Sequence, residues 1–575
     1  MPPLFEPPAE IRHTAPIASQ LLWWVQVGDQ QQPHLRRRKA IGFPFKGKTP
    51  VGTLPALITS GDLLPGGGAL NGRRWAGQQL LKSWAARSGH RPMALASPRP
   101  QALQQLLPLL RDQGFEGELN GLDLLSPEGV IPWGGLFLPD PSIARWALWR
   151  QPVGASAFSL IGQIHTLSTP AALAHLQDLA SEPVHPWDAL ICSSTAGRSV
   201  VEAVLNSREE ALAERSGGDV SRLRALRPQL PVIPLPLPDS AMAVPALDKR
   251  QARKALDLPE KASVVLWLGR LSVYTKLDPW PTYAILERVA QRLNNPLVLL
   301  ECGPDDKPSQ EQALLSLRKC CPHVHFKRMG GDEPVSEESK RQALSAADLA
   351  LSLVDNTQET FGLSVAEAMA AGLPVVASNW NGYRDLVRHG LDGFLVPSRW
   401  ASTAPLVSAR LGWQQFSGIE SFPVVAGALA QLVQLDADAA EKALVSLLAS
   451  PLLLQRMGRS ASARANELFA EHVVMDQYEA LFAELELRRL AAPAEAGSGR
   501  AMPASLDPVQ AFQAYPSHPS QPSAGKEPAS ELLDRLPKSL CEARAPLWRL
   551  LNESVPAGLK GDLHSDLLKK HPVLP

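Results

Sequence analysis

Along the chain, hydrophobic positions alternate between two periods. Short apolar runs of strand length are followed by longer stretches with helical spacing. Residues 51–61 form an apolar run that reaches a turn at Gly66–Gly68, and residues 71–89 carry an amphipathic helix pattern. The pair repeats at 91–98 and 101–114, then again at 155–168 with 172–180, and at 187–194 with 196–206. A strand-like run stopped by prolines, 228–239, closes this half. Strands alternating with helices predict a parallel α/β sheet.

The rhythm restarts near residue 250. A short helix and turn lead into 263–271, whose β-branched and apolar run predicts a buried strand. Further strands are predicted at 296–303, 323–331, 348–354, 373–379 and 393–398, with helices at 280–294, 336–347 and 362–372. Gly372 is the expected stop of the last of these. Residues 436–451 and 452–490 read as helical. These patterns divide the chain into an irregular segment 1–50, an α/β unit 51–245, a second α/β unit 246–490 and a tail 491–575. Residues 491–530 contain 7 prolines among Ala, Ser and Gly and read as a disordered linker, with short amphipathic pieces beyond it.

Composition narrows the classes. The 575 residues hold 57 Lys+Arg against 57 Asp+Glu, so the net charge is zero and a whole-chain nucleic-acid binder is disfavoured. Proline, at 53 residues, argues against a long coiled coil or helical solenoid. Five cysteines without CxxC spacing predict reduced thiols rather than a disulfide framework. The N-terminus lacks a signal-peptide pattern and no run approaches a membrane span. A cytoplasmic location is therefore expected, with peripheral membrane contact left open.

Two local patterns are set aside. Residues 42–49, ending Gly47-Lys48-Thr49, fit the phosphate-binding P-loop spacing, but the basic stretch before them is no central strand and Pro50 follows. Asp436-Ala-Asp438 fits the DxD spacing of metal-dependent transferases, but it opens a predicted helix, where capping explains it. Neither a metal nor another cofactor is expected.

Candidate chemistry concentrates in residues 355–397. Glu359 falls in the loop before a predicted helix, and Glu367 about one turn inside it. The amides of Phe361, Gly362 and Leu363 open that helix, at the positive end of its dipole, where an anionic group such as a diphosphate is favoured. Gly362 allows close backbone approach. Carboxylates on either side can accept hydrogen bonds from sugar hydroxyls. Upstream, Arg270 stands at the end of the strand 263–271 and Lys276 follows six residues later, and two cations there can stabilise negative charge that develops on a leaving group.

This density of matches, ETFGLSVAEAMAAGLPVVASNWNGYRDLV followed by GLDGFLVP, resembles the family 4 retaining glycosyltransferases. The resemblance implies a GT-B fold, two Rossmann-like domains facing across a cleft. It implies contact of Glu359 with the transferred sugar, contact of Glu367 with the nucleotide ribose, and diphosphate neutralisation by Arg270 and Lys276. Glu301–Asp306 falls where the family has a glycine-rich turn near the nucleotide. On the N-terminal side, the amides of Gly66, Gly67 and Gly68 could approach the donor, and His165 falls at a strand end that faces the reacting sugar in family members. Asp140, Arg145, Arg150 and Arg198 are unranked candidates for the acceptor side.

The implied activity is metal-independent, hexosyltransferase-like transfer of sugar from a nucleotide-sugar donor to a carbohydrate or lipid-linked acceptor hydroxyl, as in polysaccharide biosynthesis. The resemblance also implies retention at the anomeric carbon. A nucleotide-sugar epimerase and a noncatalytic GT-B-like scaffold remain alternatives. The segment 396–422, rich in Trp and Pro, and the tail depart from the family pattern.

Overall fold

A computed structural model describes residues 54–59, 63, 72–97, 100–238, 242, 248–304, 308–331, 335–503 and 505–515, with isolated positions beyond 545. The P-loop-like match at 42–49 and the glycines at 66–68 lie outside the described residues.

The chain builds two six-stranded sheets. The first contains β1 (Ala56–Ile58), β2 (Met93–Ser97), β3 (Leu119–Asp123), β4 (Gly135–Leu138), β5 (Ser159–Gln163) and β6 (Ala189–Ile191), in the order β3-β2-β1-β4-β5-β6. The second contains β7 (Ser263–Leu268), β8 (Leu297–Cys302), β9 (Val324–Met329), β10 (Leu349–Ser352), β11 (Val375–Ser378) and β12 (Gly393–Val396), in the order β12-β11-β10-β7-β8-β9. Every strand pairing in both sheets is parallel. Numbered from its own first strand, each sheet has the doubly wound order 3-2-1-4-5-6. That order reverses direction between β1 and β4 and between β7 and β10. In such sheets ligands bind outside the carboxyl ends of the strands at the reversal.

The strands read as apolar because helices cover both faces. Val264, Val265 and Leu266 of β7 are completely buried, as are Leu299 and Leu300 of β8. Six helices border the cleft or join the two units: α1 (Gly72–Ser88), α2 (Thr195–Ser216), α3 (Leu363–Ala370), α4 (Ala404–Phe416), α5 (Phe422–Ala430) and α6 (Glu471–Leu490). Helix α6 returns to the first sheet. Its Val474, Met475, Tyr478, Leu481 and Leu485 share a core with Leu57, Trp84, Phe137 and Ile161. The Tyr478 hydroxyl accepts a hydrogen bond from Gln163 Nε2 of β5 at 2.8 Å. Residues beyond α6 stay on the same unit at first: the Ser156 amide donates to the Ala496 carbonyl and the Arg500 amide to the Gln151 carbonyl.

Several expectations change. The strand expected over 228–239 is not formed among its described residues, 228–238; only isolated bridges at Gln229, Val232 and Leu237 survive, because the intervening prolines lack the N–H that a ladder needs. The helix expected over 101–114 begins as a 3-10 segment, Pro100–Leu106, before one α-turn at Leu107–Arg111. Strands β3 and β4 and the helix Ile143–Arg150 carry too weak a period to be read in advance. The segment 396–422 contains the strand β13 (Ser398–Trp400), which pairs antiparallel with β14 (Val433–Leu435), then α4 and the start of α5. Asp436 caps the next helix by accepting from the Ala439 amide, as its position predicts. Among the described residues no helix is long and apolar enough to cross a membrane.

Candidate active site at the strand reversal

Glu359 follows β10 and Lys276 follows β7, so 83 residues of separation collapse at the reversal point of the second sheet. Lys276 Nζ donates to Glu359 Oε2 at 2.5 Å, with both side chains largely withdrawn from water. Burial works against ionisation of Glu359. The Lys276 charge and hydrogen bond, together with the amides of Phe361 and Thr360, prevail and hold the carboxyl below its usual range. The site thus keeps a fixed negative charge beside a fixed positive one.

The backbone turn after Glu359 is set by Gly362, which precedes α3 with φ 110°. A Cβ there would stand 2.4 Å from the Tyr383 ring. Only glycine fits both constraints. The Tyr383 hydroxyl hydrogen-bonds the Ser352 hydroxyl at 2.8 Å and fixes the ring. Of the three amides expected to meet an anion, that of Phe361 turns onto Glu359. Those of Gly362 and Leu363 remain at the helix start, where no intrahelical acceptor exists. The Phe361 side chain is core, edge-on to Phe469 with ring centroids 5.6 Å apart. Ser364, which no sequence pattern singles out, has a buried hydroxyl without a hydrogen-bond partner at this same helix start.

Glu367 lies inside α3 and is buried. Lys340 Nζ donates to it at 2.8 Å and also meets Glu337. Here burial prevails, with Glu337 adding to it, and the carboxyl is pushed up despite Lys340. The two glutamates therefore differ: one is held ionised, the other is biased towards its neutral form. Lys340 also stands 5.4 Å from the centre of the Trp75 ring, on α1 of the first unit. Neither Lys340 nor Trp75 carries a local motif, and only the tertiary fold shows them.

Arg270 is half-buried two residues beyond β7. The turn after β8 packs against it, since a Cβ on Gly303 would overlap the Gly269 carbonyl oxygen at 2.0 Å. His165 is half-buried just beyond β5. Its main-chain carbonyl accepts from Thr360 Oγ1, and Ser194 Oγ donates to the Thr360 carbonyl at 2.6 Å. At the start of α2, Thr195 donates to Asp385 through its amide and its hydroxyl, both at 2.6 Å. The carboxyl ends of the two sheets thus face each other around Glu359.

The four unranked acceptor candidates separate. Arg150 is fully buried in a bidentate pair with Asp188, 2.6 and 2.8 Å, and is removed from the site. Arg198 pairs with Glu202 one turn on, at an exposed position of α2. The Asp140 carboxylate accepts from the Ser142 amide at the end of β4, and Arg145 is exposed on the following helix. Among the described residues no group of three or more His, Cys, Asp or Glu side chains could hold a metal ion.

Two doubly wound parallel sheets whose carboxyl ends meet across a charged site form a GT-B fold. Residues 262–408 match the sequence model described as "Glycosyl transferases group 1". Curated relatives include the D-inositol 3-phosphate glycosyltransferase of Xylanimonas cellulosilytica, 27% identical over 277 residues, covering 44% of this chain and 63% of the relative. The protein of that name from Mycobacterium sp. (strain KMS) is 30% identical over 264 residues, covering 44% of this chain and 54% of the relative. The chain spans only half to three-fifths of the length of these relatives. Solved structures that resemble it include HepE of Anabaena in complex with UDP and glucose, with TM-score 0.44 and 15% identity over 75% of this chain and 100% of that one. Another is a sucrose-phosphate synthase from Thermosynechococcus elongatus, with TM-score 0.45 and 18% identity over 76% and 100%.

Proposed function

We propose that this chain is a retaining glycosyltransferase that moves a sugar from a nucleotide-sugar donor to an acceptor hydroxyl. The observation that carries the reading is the Lys276–Glu359 pair, set at the start of α3 where the second sheet reverses. In this reading the 246–490 unit holds the donor and the 51–245 unit presents the acceptor. Glu359 orients the sugar through its hydroxyls, and the ionised carboxylate is the better acceptor for those hydrogen bonds. Lys276, Arg270 and the amides of Gly362 and Leu363 stabilise the charge that grows on the departing diphosphate. Glu367 receives the ribose hydroxyls, and Lys340 keeps that carboxylate from standing alone among apolar neighbours. His165 borders the reacting sugar from the first unit. The anomeric bond breaks towards the phosphate while the acceptor oxygen approaches from the same face. The phosphate oxygen takes the acceptor proton, so the anomeric configuration is kept without a metal or a covalent enzyme adduct. The relatives' names support the reaction class.

The test is a panel of UDP-, GDP- and ADP-sugars with the full chain, read first as a shift in melting temperature and then as donor turnover. At least one sugar nucleotide raises the melting temperature, and Glu359→Ala removes turnover while the protein stays folded. Failure of every sugar nucleotide to bind overturns the reading, and so does unchanged turnover in Glu359→Ala. Turnover without any acceptor would instead favour epimerisation, and the anomeric configuration of the product by NMR tests retention.

A further inference from the structure

The ladder between β7 and β10 ends at the Leu266–Ala350 pair, well short of Lys276 and Glu359. Beyond it the two loops are joined by side chains. Asn356, in the loop after β10, is completely buried, and both ends of its amide group are used. Its Nδ2 donates at 2.9 Å to the carbonyl of Tyr274, two residues before Lys276, and at 3.4 Å to the Ala426 carbonyl of α5. Its Oδ1 accepts at 2.9 Å from the amide of Gln358, one residue before Glu359. Its own carbonyl accepts from Trp380 Nε1, beyond β11, at 3.1 Å. Asp355 adds a longer link between the same loops, accepting from the Asp278 amide at 3.4 Å. Helix α5 backs the arrangement: a Cβ on its Gly427 would stand 3.3 Å from Tyr274 Cα. Helix α4, which precedes it, turns Leu406, Trp413 and Phe416 to water, so α5 is the helix that meets the Lys276 loop.

The chemistry of this position is restrictive. Two carbonyl oxygens lie on one side of the amide and an N–H on the other, so a side chain here must donate and accept at once. Aspartate has the shape but offers no proton at neutral pH. Serine can accept from the Gln358 amide, as short polar side chains do in turns, but is too short to reach Tyr274. Leaving a buried carbonyl unpaired is costly, so the amide holds its partners at fixed spacing. That spacing separates the stretch carrying Lys276 from the stretch carrying Glu359. We propose that Asn356 is a positioning residue that sets Lys276 against Glu359. It acts through the two loops, not on the reacting atoms. That the pair so placed serves sugar transfer rests on the transferase reading; the placement itself does not.

The test is a double-variant cycle on the ion pair, read as urea midpoints of the full chain. In the parent, Lys276→Met and Glu359→Gln together shift the midpoint less than the two single shifts added, because the pair is lost only once. In the Asn356→Ser background that shortfall shrinks by about half or more, since the pair is already displaced. Turnover gives a second readout. Asn356→Ser lowers kcat by about tenfold or more, as a displaced catalytic group does, and moves the donor KM by less than about threefold. If Asn356→Ser melts too early to measure, Asn356→Asp takes its place, keeping the volume and the acceptor for Gln358 while losing both donors. An undiminished shortfall in the folded variant overturns the inference, and so does a parent in which the two single shifts simply add. A parent that turns over no sugar nucleotide removes the transferase reading, and a shrunken shortfall then still supports the placement. Turnover with an undiminished shortfall leaves the transferase reading standing and removes Asn356 from it.

Discussion

The hydroxyl of Thr360 donates a hydrogen bond to the main-chain carbonyl of His165, tying the residue after Glu359 to the strand end of the other sheet. The Thr360 carbonyl in turn receives the Ser194 hydroxyl. One residue of the second unit is thus held twice by the first unit, next to Glu359, whose carboxylate meets Lys276. Removing one such bond costs about 1 kcal/mol of net stability. Thr360→Val is therefore expected to lower turnover more than stability, measured by comparing kcat with the urea midpoint.

Lys276→Met leaves the Glu359 carboxylate withdrawn from water without its cation. Breaking a buried pair in this way costs about 3–5 kcal/mol. The carboxyl, held below its usual range in the parent, moves up, and turnover falls by at least roughly a hundredfold as charge stabilisation is lost. Chemical denaturation and steady-state kinetics at neutral pH read the two effects.

Asp355 gives a pH dependence. It lies four residues before Glu359, is buried, and has one carboxylate oxygen without a partner. Burial is the main cause, with Asp278 nearby, that pushes its carboxyl up to about 7. The fold therefore binds a proton that the unfolded chain, with an ordinary aspartate near pKa ~3.9, has already lost. Stability from this group falls as pH rises between those two values and the loss is complete above about pH 7, amounting to at most about 4 kcal/mol. Asp355→Asn flattens that slope and melts later than the parent at pH 8. Parallel pH–melting curves for the two proteins would overturn this assignment.

Gly362→Ala puts a methyl group against the Tyr383 ring at a left-handed backbone position. A residue forced into such a conformation costs about 1–3 kcal/mol before the clash is counted. A lowered melting temperature is expected together with weaker binding of sugar nucleotides, because the start of α3 must move. Tyr383→Ala in the same chain should recover part of the stability.

Arg150→Met separates structure from site. The Arg150–Asp188 pair is fully buried and also bonds the Phe158 carbonyl and the Leu160 amide, so the variant loses several kcal/mol, about 3–5 by analogy with broken buried pairs. Whatever fraction remains folded should keep the parent's donor KM.

The strand-and-helix rhythm, the second unit's elements and the segment around Glu359 were legible because their signals are local. Buried parallel strands read as unbroken apolar runs, and a helix start needs a glycine and small residues within a few positions. Local pattern alone established two α/β units and the residue types gathered near 270–276 and 359–367. It could not decide that Lys276 meets Glu359 or that Lys340 meets Glu367 beneath Trp75, because those contacts depend on strand order in the sheet and on the approach of one unit to the other. It did not show that Arg150 is structural, since a buried ion pair 38 residues apart leaves no local period. Nor did it show that α4 turns its apolar side outward. A helical pattern states which side is apolar, and only packing decides which side is covered.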